Sequence, residues 1–393
     1  MSEVIRLAAR GDGVTADERH IALSAPGDRV ADDGTITPGP HHRTPPCRHF
    51  PACGGCQLQH LDDPSWADFI VERIRSGLEA QGLASTIRPP ALSPPRTRRR
   101  ATLHFDPSGR LGFAVEKSHQ LIDVQECHVL APELFALIRP LKRLLLGLRA
   151  KRRLDVAMTL ADQGVDLLIT GAAPEGLAAH EALTAFAQEH RLARIAFDAG
   201  MGAETQWEPD ALTITLGGVA VPLPPASFLQ ATREGEAALV AAVREAVGEA
   251  PTVADLFAGL GTFALSLSSR VYAAEGARDA IFALKAAAGR AQRLVFTEHR
   301  DLYRRPLTTA ELDRFAAIVL DPPRAGAREQ AAQLAASRTP VIAYVSCNPS
   351  SFARDAKMLC EGGYRLDWVQ PVGQFRWSTH VELAGRSVCP RAG

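Results

Sequence analysis

The stretch that decides the fold runs Val253-Ala-Asp255-Leu-Phe257-Ala-Gly259-Leu-Gly261-Thr262-Phe263. An apolar run that leads into a glycine-rich turn predicts a strand, a tight turn and a following helix. The glycines allow the backbone to approach a ligand, and a helix N-terminus offers free N–H groups to that ligand. Glu275 closes the next apolar run, 20 residues after Asp255, which is the offset of an acid that binds both hydroxyls of a ribose. Because Ala264 completes a G-x-G-x-x-A pattern, a dinucleotide is an alternative ligand for this turn.

Strand and helix patterns alternate through the C-terminal part of the chain. We expect a helix at 234–247 and further helices between strands at 252–257, 271–275, 316–321, 341–346 and near 380–384. Alternation of this length predicts the α/β class, with a doubly wound, Rossmann-like parallel sheet over residues 226–393. Ligands of such a sheet bind at the carboxyl ends of its strands, so the residues that follow each strand are candidate site residues.

Two of these strand ends carry reactive side chains. Asp321 follows one apolar run and begins Asp321-Pro-Pro-Arg324, and Cys347 follows the next run in Ser346-Cys347-Asn-Pro349. A cysteine at such a position is either a small core residue or a nucleophile. The neighbouring Asp-Pro-Pro favours the nucleophile.

The chain upstream of residue 226 is less regular. Residues 1–40 contain turn formers between short apolar patches, which predicts a small β unit. Residues 41–225 predict a mixed α/β central domain. Within that domain, Asp63-Pro64 starts an amphipathic helix at 64–81, which is a candidate to dock on the catalytic domain.

The cellular setting follows from two absences in the sequence. No stretch reaches the roughly 18 consecutive apolar residues of a membrane span, and residues 1–5 do not resemble the start of a signal peptide. We therefore expect a cytoplasmic protein with no membrane partner. In that compartment disulfides are rare, and clustered cysteines indicate metal binding or catalysis.

Four of the seven cysteines form a candidate metal site. Cys47, Cys53 and Cys56 lie within ten residues, with Gly54-Gly55 between the last two, and Cys127 lies 71 residues after Cys56. Three close thiolates and one distant thiolate make a four-cysteine ligand set, which suits zinc or an iron–sulfur cluster equally. The remaining pair, Cys360 and Cys389, lacks such context and is expected to be structural.

Charge is unevenly distributed in a chain whose formal net charge is zero. The 44 basic residues balance 44 acidic ones, which excludes a broadly cationic protein. Residues 86–153, however, hold 14 Arg or Lys and 5 Asp or Glu, a net charge of +9. This segment is either a solvated face or a nucleic-acid face, and the aromatic and hydroxyl side chains among its arginines favour the second interpretation.

Together these motifs resemble the RNA 5-methyluridine methyltransferase family, in its iron–sulfur-containing 23S rRNA branch. Phe228-Leu-Gln230 fits the F-x-Q motif of the family, and His380-Val-Glu382 fits its C-terminal H-x-E. Residues 7–14 and 25–30 resemble a shortened TRAM domain, a small β-barrel that binds RNA. The resemblance covers nearly the whole chain.

The resemblance implies an activity and a role for each motif. The implied reaction is S-adenosylmethionine-dependent formation of 5-methyluridine in 23S rRNA by a monomer. Cys347 would add to carbon 6 of uracil, Asp321 would bind the uracil edge, and Glu382 would remove the proton from carbon 5. The residues implied to bind S-adenosylmethionine are Gln230, Phe257, Gly259, Gly261, Thr262, Glu275, Asp301 and Asp321. A four-iron–four-sulfur cluster would be held by Cys47, Cys53, Cys56 and Cys127. The expected RNA contacts are Arg96, Arg98, Arg99, Arg100 and Phe228.

Some residues depart from the family pattern and leave alternatives open. Thr232 and Thr262 stand where the family often has Asn, and Gly373-Gln-Phe375-Arg376 stands where it usually has D-x-F-P. Asp301 is also interpretable as a helix cap and Glu382 as an ordinary surface acid. A tRNA uracil-5 methyltransferase, an inactive metal-bound RNA-binding protein and an amino-methylating enzyme remain as alternative functions.

Overall fold

The N-terminal residues form a small antiparallel sheet. The computed structural model describes residues 1–116, 118–148 and 152–390. The first five strands are β1 (Ser2–Leu7), β2 (Gly13–Thr15), β3 (His20–Ile21), β4 (Arg29–Val30) and β5 (Ile36–Thr37), in the spatial order β3-β2-β1-β4-β5. The β unit predicted for residues 1–40 is therefore present.

The next elements lie against the catalytic sheet. They are helix α1 (Asp63–Glu79), β6 (Thr86–Ile87) and β7 (Ala91–Leu92). Asp62 caps α1 by accepting a hydrogen bond from the Ser65 amide, and Pro64 occupies the first turn. The apolar face of α1 includes Trp66, Ile70 and Ile74, which are at most 1% exposed and belong to a core shared with the C-terminal sheet. Helix α1 thus overlaps the predicted helix 64–81, and its apolar face packs in one core with the C-terminal sheet.

The central domain has a six-stranded sheet and its own core. Its strands are β8 (Arg100–Phe105), β9 (Leu111–Gly112), β10 (Leu154–Leu160), β11 (Val165–Thr170), β12 (Arg194–Asp198) and β13 (Ala203–Trp207). Its helices are α2 (Pro132–Ala136), α3 (Ile138–Gly147) and α4 (Gly176–Glu189). Their buried side chains, within 101–197, form one cluster. Of the basic segment 86–153, Lys117 and residues 149–151 lie outside the described residues.

A nine-stranded sheet forms the C-terminal domain. A hairpin, β14 (Thr213–Leu216) and β15 (Val219–Pro222), precedes it, and its own strands are β16 (Thr252–Leu256), β17 (Arg270–Glu275), β18 (Val295–His299), β19 (Ala317–Leu320), β20 (Val341–Ser346), β21 (Arg365–Gly373) and β22 (Glu382–Val388). The order is β18-β17-β16-β19-β20-β22-β21-β6, with β7 also paired to β21. Strands β16 to β20 are parallel, and β22 is antiparallel to β20.

Helices cover both faces of this sheet, which confirms the doubly wound α/β prediction. They are α5 (Arg233–Val247), α6 (Arg278–Arg290), α7 (Thr309–Leu312), α8 (Arg328–Ala335) and α9 (Pro349–Glu361). Successive residues of β16 alternate between two cores: Val253 packs with α5 and α6, whereas Ala254 packs with α1 and α9. In the described parts of the chain, no helix is both long and apolar enough to span a membrane.

Two features differ from the sequence-based expectations. The helix predicted after the glycine-rich turn is replaced by successive turns, because only eight residues separate Gly261 from the start of β17 at Arg270. The expected boundary at 225/226 also does not divide the cores, since the hairpin residues Ile214 and Val221 pack against the C-terminal domain. Such short strands lack the length that a sequence pattern needs to assign them to a domain.

Candidate active site

Three reactive side chains meet at the carboxyl end of the sheet. Asp321 follows β19 and Cys347 follows the adjacent strand β20. Because β22 runs antiparallel to β20, with Leu383 paired to Ser346, its first residue, Glu382, lies beside Cys347. The strand order therefore brings together the three residues that the sequence separates by 61 positions.

Burial and mutual charge raise the pKa of all three groups. Burial, reinforced by the charges of Glu382 and Asp321, raises the pKa of the Cys347 thiol to about 11. Burial and then the charge of Asp321 raise the pKa of Glu382 to about 8, against the opposing effects of a Gln374 hydrogen bond and of Arg100. Burial and then the charge of Glu275 raise the pKa of Asp321 to about 7. At neutral pH Cys347 is therefore a thiol. Asp321 and Glu382 have pKa values near neutral pH, so both can take up or release a proton.

A chain of buried amides connects the two acids. Gln374 donates from Nε2 to Glu382 Oε2 at 3.0 Å and to Gln230 Oε1 at 2.7 Å. Gln230 Nε2 lies 3.5 Å from Asp321 Oδ2. Sequence reasoning found Gln230 from its motif and missed Gln374. The only sequence signal for Gln374 was its place in the segment that departs from the family pattern.

The glycine-rich turn, residues 257–263, follows β16 at the carboxyl edge of the sheet, where ligands of doubly wound sheets bind, and we call the space over it the crevice. Phe257, Gly259 and Gly261 have positive φ angles of 64°, 55° and 93°. A Cβ at Gly261 would lie 2.4 Å from Leu284 of α6, so glycine is needed there on both conformational and steric grounds. Thr262 is half-buried in the same turn.

Glu275 holds this turn in place. Its Oε2 accepts from the Gly259 amide at 2.8 Å and its Oε1 from the Ala277 amide at 2.7 Å. The charge of Glu275 also raises the pKa of Asp321, so Glu275 lies near the reactive groups. Beneath the turn, Asp255 Oδ2 accepts from the Ala264 amide, whereas Asp255 Oδ1 is buried without a partner in the described structure. An acid at a strand end beside a glycine-rich turn fits a nucleoside ligand with a free ribose.

Asp301 caps a turn at the edge of the crevice. Its Oδ1 accepts from the amides of Tyr303 and Arg304 at 3.0 and 3.2 Å. The ring of Tyr303 lies 5.4 Å from that of Phe257. Asp301 thus caps a turn beside Tyr303 and Phe257, and its binding of the cofactor stays a prediction.

The arginine-rich segment divides into exposed and buried members. Arg96 is exposed, and the Arg100 guanidinium lies 4.3 Å from the centre of the Phe228 ring, which is 61% exposed. Arg98 lies over Phe375 at 5.7 Å.

Arg99 requires a correction to the expected RNA contacts. It is 2% exposed, and it donates to the Gln230 carbonyl at 3.0 Å and to Glu236 of α5 at 2.5 Å. Arg99 lies just before β8 and its hydrogen bonds hold it inward, so it joins the central domain to α5 rather than facing RNA.

The four cysteines of the predicted metal site line one cavity of about 40 Å³, together with residues that include Phe50 and Arg98. Burial raises the pKa of the Cys47, Cys53 and Cys56 thiols, and the neighbouring thiols add to the effect. Within 1–116, 118–148 and 152–390, however, no group of three or more His, Cys, Asp or Glu side chains is arranged to hold a metal ion.

Comparisons with known proteins agree with this geometry. The family described as tRNA (uracil-5-)-methyltransferase matches residues 226–385. A relative from Zymomonas mobilis described as an RNA methyltransferase is 52% identical over 98% of this chain and 99% of its own length. The 23S rRNA (uracil(1939)-C(5))-methyltransferase RlmD of Halomonas elongata is 33% identical over 93% of this chain and 78% of its own length.

The fold also matches a solved structure. The crystal structure of the Pyrococcus abyssi tRNA (uracil-54, C5)-methyltransferase, in complex with S-adenosyl-L-homocysteine, superposes with a TM-score of 0.76 and 24% identity, covering 99% of each chain. This match shows the fold, and the sequence relatives and the family match establish that the chain is an RNA methyltransferase and belongs to the uracil-5 RNA methyltransferase family.

Proposed function

We propose that this enzyme transfers a methyl group from S-adenosylmethionine to carbon 5 of a uridine in 23S rRNA. The observation that carries the proposal is the meeting of Cys347, Asp321 and Glu382 beside the glycine-rich crevice. Carbon 5 of uracil is a weak nucleophile, and a thiol, a hydrogen-bonding acid and a base are the groups needed to activate it and then restore the ring.

The reaction begins with covalent activation of the base. The Cys347 sulfur forms a bond to carbon 6 as its proton passes to the Asp321 carboxylate, and the electrons of the C5=C6 bond move to the oxygen on carbon 4. Asp321 stabilises this charge by hydrogen bonding at the uracil edge. S-adenosylmethionine, when bound, supplies an electrophilic methyl group on a sulfonium, and carbon 5 takes that methyl group as the sulfonium carbon–sulfur bond breaks.

The product is released by removal of the proton from carbon 5. Glu382 takes that proton, the C5=C6 bond forms again, and the bond from carbon 6 to Cys347 breaks with its electrons on sulfur. Glu382 is 3% exposed, so bulk water does not replace it efficiently as the base.

Exposed residues around the site suit a flipped-out nucleotide. The exposed Arg96 and the half-buried Arg100 are proposed to contact phosphates, and the exposed ring of Phe228 is proposed to stack on a base. The five-stranded N-terminal sheet is proposed to be a TRAM-like RNA-binding unit.

The choice of 23S rRNA rests on the likeness to RlmD of Halomonas elongata over most of both chains. A tRNA substrate is the second candidate, because the matched family and the Pyrococcus abyssi enzyme are both described as acting on tRNA. The test is to map 5-methyluridine in 23S rRNA and tRNA from a strain that lacks this gene. We expect one 23S rRNA site to be lost and to return when the gene is restored. Loss from tRNA alone would replace the rRNA assignment, and no loss would contradict the function.

We further propose that the four cysteines hold a four-iron–four-sulfur cluster. Their common cavity of about 40 Å³ exceeds the roughly 10–15 Å³ that one water requires, so it has room for a group of several atoms. Four thiolates suit zinc or an iron–sulfur cluster, and the resemblance of the motifs to the iron–sulfur-containing branch favours the cluster.

Anaerobic purification tests the cluster. We expect a brown protein with about four iron and four sulfide per chain, and loss of the colour in Cys53→Ser. The same substitution at Cys389, which lies just after β22, serves as the control and should leave the iron content unchanged. A colourless anaerobic protein that contains zinc and no iron would contradict the cluster assignment.

A further inference from the structure

Gln374 occupies the centre of the active site although no motif assigns it a role. It is 1% exposed and lies on the segment that follows β21. The helix next to it is shaped for close contact: a Cβ on Gly235 of α5 would lie 2.5 Å from the Gln374 Cβ. A side chain packed this tightly between α5 and β22 has little freedom to adopt another rotamer.

The hydrogen bonds of Gln374 determine which way its amide points. The backbone N–H of Ala231 can only donate, and it donates to Gln374 Oε1 at 2.8 Å. The Nε2 group is therefore on the other side, where it donates to Glu382 Oε2 and to Gln230 Oε1. Because Gln230 Oε1 accepts this bond, the Gln230 amide N–H₂ is turned toward Asp321.

This orientation divides the two oxygens of Glu382 into different roles. Oε2 is committed to accept from Gln374, whereas Oε1 has no hydrogen-bond partner in the described chain. The hydrogen bond withdraws electron density from Oε2 and uses one of its lone pairs, whereas both lone pairs of Oε1 are free, so Oε1 is the more basic oxygen and the one better suited to proton transfer.

We propose that Gln374 is a positioning residue that holds Glu382 by Oε2, presents Oε1 to the proton on carbon 5, and orients Gln230 toward Asp321. The inference rests on the proposed function, because it assigns Gln374 to the proton-removal step of that reaction. The side-chain N–H groups of Gln374 contact Glu382 and Gln230, so its proposed effect passes through these two residues.

The proposal predicts where the pH dependence of proton removal should move. Glu382 faces Asp321 at the end of β19, Cys347 at the end of β20, Arg100 of β8 and Gln374. The Gln374 hydrogen bond and Arg100 lower the pKa of Glu382, whereas burial and Asp321 raise it. Removing the Gln374 donor raises this pKa further, so proton removal should require a higher pH.

The test compares Gln374→Met with the wild type on an unmodified 23S rRNA transcript labelled with tritium at carbon 5 of uridine. Tritium release reports proton removal, and methyl label in protein-bound RNA reports the covalent intermediate. We expect tritium release to be about tenfold slower at pH 7, with the gap closing above pH 9. Methylated, protein-bound RNA should accumulate in the variant at pH 7.

The matched control is Gln370→Met on β21, whose amide donates only to the backbone carbonyls of Pro89 and Pro371. It should keep the wild-type pH profile, and a Gln374→Met protein with equal thermal stability excludes a folding defect. If the pH profile of tritium release in Gln374→Met is the same as in the wild type, the inference about Gln374 is overturned and the proposed function stands. A wild type that releases no tritium and transfers no methyl group overturns the proposed function and the inference with it.

Discussion

Replacing Cys347 with alanine is expected to reduce methyl transfer by at least about 10⁴-fold, because removing a covalent nucleophile leaves only binding and electrostatic effects. Carbon 5 of uracil becomes nucleophilic only after addition at carbon 6, and no other described thiol is placed at the strand ends that form the site. Cys347→Ser should be nearly as inactive, since a hydroxyl is a much weaker nucleophile near neutral pH. The measurement is transfer of labelled methyl groups from S-adenosylmethionine to unmodified 23S rRNA.

The neighbouring helix supplies a control for this result. Cys360 lies on α9 and is half-buried, outside the reactive group at the strand ends. Cys360→Ala should keep activity within about twofold of the wild type, because it removes one sulfur atom from a partly exposed position. Full activity in Cys347→Ala would refute the covalent mechanism. It would favour direct attack of the uracil carbon 5 on the methyl group, without prior addition at carbon 6.

The sequence predicted the positions that depend on strand ends. In a parallel sheet the carboxyl ends of the strands lie at one edge, so the residues after β19 and β20 could be placed together from the chain order alone. Asp321 and Cys347 were found in this way. Glu382 could be identified only from the H-x-E motif. Because β22 is antiparallel to β20, the first residue of β22, and not its last, lies at this edge of the sheet.

Residues whose role depends on contacts between distant segments were harder to predict. Arg99 looked like part of a basic surface, but the direction of its side chain follows from the position of β8 against α5. Gln374 has no local signal beyond its place in the segment that departs from the family pattern, because its partners Ala231 and Gln230 are more than 140 residues away. A third pairing joins the residues after Cys56 to the segment before Glu382. The amides of Gln57 and Leu58 both donate to the Trp377 carbonyl, at 2.8 and 2.9 Å. No pattern within one segment encodes such pairings.

Replacing Glu382 with glutamine is expected to trap the enzyme on its RNA. Addition by Cys347 and methyl transfer do not use the Glu382 carboxylate, so both steps should proceed in the variant. The proton on carbon 5 then has no base, and the bond from carbon 6 to Cys347 cannot break. General bases contribute about 10²–10⁴-fold to such steps, so resolution of the adduct should slow by that amount. The adduct would appear as protein that co-migrates with methylated RNA under denaturing conditions.

The pH dependence distinguishes loss of a base from loss of packing. The pKa of Glu382 is raised to about 8, so the wild-type fraction with an ionised base grows as pH rises from 6 to 9, and adduct resolution should accelerate with it. An amide cannot ionise, so the slow resolution in Glu382→Gln should lack this rise.

Glu361→Gln at the exposed end of α9 is the control and should resolve its adduct at the wild-type rate. A Glu382→Gln enzyme that releases 5-methyluridine product at the wild-type rate, with the wild-type pH profile, would show that another group removes the proton. Asp321 would then be the base to test, since it is the other acid whose charge acts on Cys347.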